Sequence, residues 1–275
     1  MTYEEQYLSN LKHILQNGVK EKNARTGVVT RRIPATIMTI DVSKELPILT
    51  SKKVAWKTAI EEMIWIYLKG SSDSNELSTD IWKKNAYPDG SIGKSYGYQA
   101  GKSVKVFVTN PETKEKELVT YKNQLDYVIN TLKNDKTNRQ AILNLWDCEE
   151  LSEMALPPCL LSSCWTIIDN KLNVLLTQRS ADYPLGVPFD TFEYGVLMHL
   201  VARELGCELG QLTHVFSDSH IYENQVSVVE SYLETAELHT PPTIKIADKP
   251  LYELTVEDFE LVNYEHGAFL KLPLN

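Results

Sequence analysis

The sequence predicts an α+β fold, strands mixed with segregated helices, and three observations carry that prediction. Apolar residues recur at helical spacing in several well-separated segments. β-rich runs lie between them, the clearest being SCWTII and KLNVLLTQ on either side of Asp169-Asn170. These elements do not alternate as regular βαβ units, so an all-parallel sheet is not expected.

Taken in order, residues 4–16 set Tyr7, Leu8, Leu11, Ile14 and Leu15 at helical spacing. A polar turn with Asn23, Thr26 and Gly27 leads into an extended stretch from Val28 to Val42. A second helix is expected from about Lys57 to Leu68, with Gly70 suited to the left-handed position beyond its end. Residues 101–122 read as a charged hairpin about Asn110 and Pro111. From Tyr121 to Lys133, Leu125, Val128, Ile129 and Leu132 share one helical face, and AILNLW from Ala141 reads as a strand. After the turn at Asp169-Asn170 come a helix from about Thr191 to Leu205, stopped by Gly206, then a strand to Phe216. A helix from about Tyr222 to Glu234 and the Pro241-Pro242 break precede short closing elements.

The 275 residues are long enough for a full core, and no linker is visible, so one domain spanning 1–275 is expected. With 43% hydrophobic and 24% charged residues the composition is that of a globular protein, without repeats or an apolar run that could span a bilayer. The polar, acidic start MTYEEQYLSN does not read as a signal peptide. A net charge of -9 argues against a nucleic-acid surface, which needs clustered cations. Cys148, Cys159, Cys164 and Cys207 lack CxxC spacing and disulfide density, which fits a reducing, cytoplasmic setting with no zinc site.

Three clusters are poor core material: LPPC at Leu156 to Cys159, QRSADYPLGVPFD at Gln178 to Asp190, and SDSHIY at Ser217 to Tyr222. Singly, each has a structural explanation in a buried thiol, a paired arginine or a helix-capping histidine. Together, and with ARTG at Ala24 to Gly27, EEMIW around Glu62, Ile81-Trp82, Tyr96-Gly97, Asn138-Arg139 and NYEH near the end, they resemble the thymidylate synthase family from the first helix to about Lys271. The resemblance implies that family's α+β fold with a mixed β-sheet packed with helices, a homodimer through the sheet, and a nucleotide and 5,10-methylenetetrahydrofolate as substrates.

It also implies roles. Carbon 5 of a pyrimidine becomes nucleophilic once a thiolate adds at carbon 6, and Cys159 is the attacker, favoured by the cation of Arg179. Arg25, Arg179, Ser180 and the second subunit's copy of Arg139 are assigned to phosphate, with Gln140 where a further arginine is usual. Glu62 is the general acid and base through water, and Tyr96 assists proton removal at carbon 5. His220 and Tyr222 take the sugar 3′-hydroxyl, and Gln178 belongs to the nucleotide side. Asp182 holds the pterin, with Trp82, Asn85, Leu185, Gly186 and Phe189 on the folate side.

The departures carry the specificity. Asp190 stands where the family's asparagine reads the uracil edge; a carboxylate only accepts, whereas cytosine offers an amino donor at N4. A proton on Asp190 or on cytosine N3 completes a two-bond match. Glu193, three residues on, is acidic where the family has a small hydroxyl residue. An alternative for Asp190 is the N-cap of the next helix. Leu160 replaces a histidine, Cys164 a glutamine and Asn85 a tryptophan, while KLPLN places polar Asn275 at the lid, changes that fit an ordered attacking water. The expected activity is a deoxycytidylate 5-hydroxymethyltransferase. Its rivals are a cytidylate methylase, a uridylate-acting enzyme with Asp190 protonated, and a silent nucleotide- or RNA-binding relative.

Overall fold

Thr2 opens the first helix, α1 (Tyr3–Asn17): its hydroxyl accepts from the Glu5 N–H while the Glu5 carboxylate accepts from the Thr2 N–H. This reciprocal cap satisfies two donors that a helix start leaves bare. The computed structural model describes residues 1–109 and 112–275. β1 (Val19–Lys22) and β2 (Val29–Asp41) follow, then α2 (Trp56–Met63), whose last turn widens into a π-helical segment at Ile64–Leu68. Gly70 takes the expected left-handed conformation, at φ 63°.

Next come α3 (Tyr96–Gly101), β3 (Val104–Thr109), β4 (Lys116–Tyr121), α4 (Gln124–Asn134) and β5 (Ile142–Asn144). β3 and β4 pair antiparallel, as the hairpin reading requires; Asn110 and Pro111 lie outside the described residues. β6 (Leu160–Ile168), β7 (Lys171–Gln178) and β8 (Ala181–Asp182) lead to α5 (Gly186–Leu205) and β9 (Glu208–Tyr222). α6 (Val226–Thr235), β10 (Thr243–Ile246) and β11 (Phe259–Val262) complete the order.

The main sheet runs β1-β2-β9-β7-β6-β5, with β8 paired to β9. β9 is parallel to β7 and β8, while the other neighbours are antiparallel, so the sheet is mixed as expected. α5 is apolar nearly all round and buried over most of its length between Val187 and Ala202, which makes it the central core helix. Among the described residues no helix is long and apolar enough to cross a membrane.

Four sequence expectations change. β9 continues past Phe216 to Tyr222, because Arg32 and Asp182 both pair with His220 and the two ladders override the turn-forming residues of SDSHIY. α5 begins at Gly186 and not near Thr191; Pro188 sits in its first turn, where a missing N–H costs nothing. Asp190 is therefore inside a helix and is not its N-cap. β5 is shorter than AILNLW, because the Asn144 side chain bonds the Trp146 backbone in both directions and ends the ladder. β1 and α3 were not expected: β1 (VKEK) is exposed at all four positions and shows no alternation.

Candidate active site

Strand direction gathers the site. Because β9 is parallel to β7, their C-terminal ends, carrying Gln178, His220 and Tyr222, lie together. β6 and β2 run the other way, so the residues just before them, Cys159 and Arg25, reach the same end. Asn23 shapes the turn before β2, its side-chain oxygen accepting from the N–H groups of Arg25 and Thr26. Here lies a cleft of about 400 Å³ lined by Arg25, Glu62, Trp82, Asn85, Cys159, Ser180, Asp182, Leu185, Gly186, Phe189, Asp190, His220 and Tyr222. Ile81, Leu156, Leu272, Leu274 and Asn275 complete the lining.

Tyr96, Arg179, Gln178 and Glu193 stand behind this lining, and exposed Arg139 lies outside it, on the loop between α4 and β5. The Tyr96 hydroxyl oxygen accepts from the Cys159 N–H at 2.6 Å, and its ring meets Trp82 edge-on. Arg179 is fixed by the Pro157 and Pro158 carbonyls, each 2.8 Å away, and lies over the Trp146 ring. From there its charge pulls the Cys159 thiol down, with help from Arg25. Desolvation outweighs both and Asp190 adds to it, so the thiol stands above its ordinary value. Arg179 therefore tempers the burial of the thiol without reversing its effect.

An acid cluster faces the thiol. Trp82 Nε1 donates to Glu62 Oε1 at 2.7 Å, and the buried Glu193 carboxyl lies beside Glu62. Desolvation raises both, Glu193 furthest because Glu62 and Asp190 add like charge. Asp190 is pushed up to about 7 by desolvation and then by Glu62, against the Gln178 amide that donates to its Oδ2 at 2.8 Å. Asp182, raised to about 6 by desolvation, accepts from Gln225 Nε2 at 3.1 Å. His220 Nδ1 lies 3.1 Å from Asp218 Oδ1, and Tyr222 and Arg25 share the cleft wall.

Lys52, Gln225 and His214 were missed by the sequence reading. Buried Lys52 donates to the Pro184 carbonyl at 2.5 Å and is lowered to about 8 by desolvation, with Asp182 opposing. Nothing in its neighbourhood marks it. His214 could have been found, because alternation with Leu212 and Phe216 puts it on the buried face of β9. Among the described residues no group of three or more His, Cys, Asp and Glu side chains is arranged to hold a metal ion.

A half-buried thiol on the same open cleft as several raised carboxyls is the arrangement that nucleophilic catalysis on a small substrate requires. A family profile described as thymidylate synthase matches residues 5–275. The thymidylate synthase of Clostridium beijerinckii is 37% identical over 279 residues, covering 99% of this chain and 98% of that protein. That of Bacillus phage phi3T is 36% identical over 279 residues, with 96% of each covered. The solved thermostable thymidylate synthase A from Bacillus subtilis superposes with a TM-score of 0.86 at 35% identity, covering 100% of this chain and 99% of that one. The chain belongs to the thymidylate synthase family, whose reaction is one-carbon transfer to carbon 5 of a pyrimidine.

Proposed function

We propose that the protein is a deoxycytidylate 5-hydroxymethyltransferase, acting as a homodimer with the family's cosubstrate, 5,10-methylenetetrahydrofolate. The observation that carries this is Asp190: a carboxyl on the cleft wall, raised to about 7, with Glu62 and Glu193 beside it. Near neutral pH such a group shares one proton with its ligand. Cytosine accepts that proton at N3 and donates its N4 amino hydrogen to the remaining acceptor.

In this reading Cys159 Sγ adds to C6, and the electron pair released to C5 forms the bond to the one-carbon unit. Tyr96 and Glu62 help move the C5 proton, and tetrahydrofolate leaves. Water then adds to the exocyclic methylene as Cys159 departs. Arg25, Arg179 and Ser180 take the phosphate, with Arg139 from the second subunit. His220 and Tyr222 take the sugar hydroxyl, while Asp182, Trp82, Asn85, Leu185, Gly186 and Phe189 form the folate side. Asn275 on the cleft wall and Asn85 supply polar groups where the attacking water is needed.

A second reading has support from the same carboxyl and from the names of the relatives: protonated Asp190 imitates an amide donor toward uracil O4, which gives a uridylate enzyme. Mass spectrometry of products from dCMP, CMP and dUMP with methylenetetrahydrofolate decides between them. Hydroxymethyl-dCMP is expected as the main product; methyl-dCMP replaces the hydroxymethyl outcome, and product from dUMP alone replaces the cytidylate reading.

A further inference from the structure

Behind Asp190 a buried chain of side chains leads away from the cleft. Gln178 Nε2 donates to Asp190 Oδ2 at 2.8 Å and to the Ser180 carbonyl at 3.0 Å. Both contacts need the amide nitrogen on that side, so the amide oxygen points at His214, whose Nε2 is 2.9 Å away. An amide oxygen only accepts; His214 Nε2 therefore carries the hydrogen. Burial keeps the ring neutral, lowering it to about 3, so Nδ1 is bare and faces the Thr191 hydroxyl at 3.1 Å. That hydroxyl is also 2.7 Å from the Val187 carbonyl, and its one proton serves both. The His214 ring packs on Phe216, and Gln178 and His214 sit on inward positions of paired strands.

We infer that His214 is a specificity-determining positioning residue, which locks the Gln178 amide with its N–H toward Asp190. Asp190 Oδ2 is then always an acceptor, and Oδ1 is the oxygen that gains or loses the proton opposite the base. The inference rests on the proposed reading of Asp190 as the base-reading residue. Without the His214 donor the amide can turn over, at the cost of facing the Ser180 carbonyl with its oxygen. A turned amide draws the Asp190 proton onto Oδ2 and leaves Oδ1 a bare acceptor, which changes the pattern shown to the pyrimidine edge.

The test is calorimetric binding of dCMP and of dUMP to wild type, His214→Phe and His214→Gln. Phenylalanine keeps the ring and loses the donor, whereas a glutamine amide can place an N–H where Nε2 stood. The ratio of the two dissociation constants should move by roughly tenfold or more in His214→Phe, the scale of one reversed buried hydrogen bond. It should stay within about threefold of wild type in His214→Gln. A purely structural role weakens both nucleotides alike, so an unchanged ratio in folded His214→Phe overturns the proposal, as does an equal loss in both variants. If His214→Phe does not fold, His214→Asn replaces it, since its shorter amide falls short of Gln178. Wild-type preference for dUMP would remove the cytidylate reading without deciding this test, which concerns only the change in ratio.

Discussion

Asp190 holds two effects in one side chain. Its displacement from 3.8 to about 7, at about 1.4 kcal/mol per pH unit, corresponds to at most roughly 4.5 kcal/mol, less whatever the cleft water recovers. The sign is unfavourable to the folded state at high pH: the unfolded chain ionises first, so this part of the stability is present below about pH 4 and lost as pH rises toward 7. Asp190→Asn removes the ionisation and keeps an acceptor for Gln178. Its thermal midpoint should therefore exceed wild type at pH 8 and match it near pH 4. An equal midpoint at both pH values would mean that Asp190 is not desolvated. The same variant should move the dCMP-to-dUMP ratio of kcat/KM toward dUMP by about tenfold to a hundredfold, since cytosine loses an acceptor and uracil O4 gains a donor.

The residues that surround this carboxyl divide by how legible they are. Asp190 and Glu193 stood out in the sequence because they depart from a pattern, and Cys159, Glu62 and Asp182 because they keep one; all but Glu193 line the cleft. Gln178 was visible, but its position behind Asp190 was not, because that depends on which face of β7 turns inward. Lys52 was silent, since only the folded chain brings Asp182 and Glu4 near its amine.

At the scale of elements, α3 shows what sequence periodicity does not carry. Six residues are too few for a helical pattern, and α3 is placed by Gly97, where an added Cβ would lie 1.6 Å from the Ser71 carbonyl oxygen. That close approach holds Tyr96 on the Cys159 N–H. Gly97→Ala must push backbone against backbone. A loss of about 1–3 kcal/mol in stability and a fall in tritium release from 5-labelled nucleotide are expected. Tyr96→Phe should show the fall in release without the same loss of stability. Wild-type release and melting in Gly97→Ala would detach α3 from the site. The long strands and α1 and α4 were legible because each buries one periodic face, whereas α5, apolar nearly all round, was legible only from about Thr191 onward. The full reach of β9 was not, because its last residues are held by partners on both sides.

For the molecule as a whole, the sheet has a second face. Helices cover the side that carries Leu172, Val174 and Leu176, while Leu175, Ile37 and Ile142 remain 43%, 58% and 41% exposed on the strands β7, β2 and β5. The registers put Thr213, Leu175, Cys164 and Ile142 in one row across that surface. A second copy of the chain is the proposed cover, and exposed Arg139 is the residue proposed to cross into the neighbour's cleft. Complementation tests both ideas at once. Cys159→Ser chains lack the nucleophile and Arg139→Ala chains lack the donated cation, so each homodimer should turn over little substrate. A mixed dimer holds one site with neither defect, because the Arg139→Ala chain keeps Cys159 and receives Arg139 from its partner. The other site carries both defects. Random re-pairing of equal amounts should therefore restore roughly a quarter of wild-type activity per chain. If mass spectrometry shows mixed dimers and activity stays at the level of the parents, each cleft is complete within its own chain. Arg139 must then act within its own chain, and the apolar face of the sheet would owe its partner to stability alone.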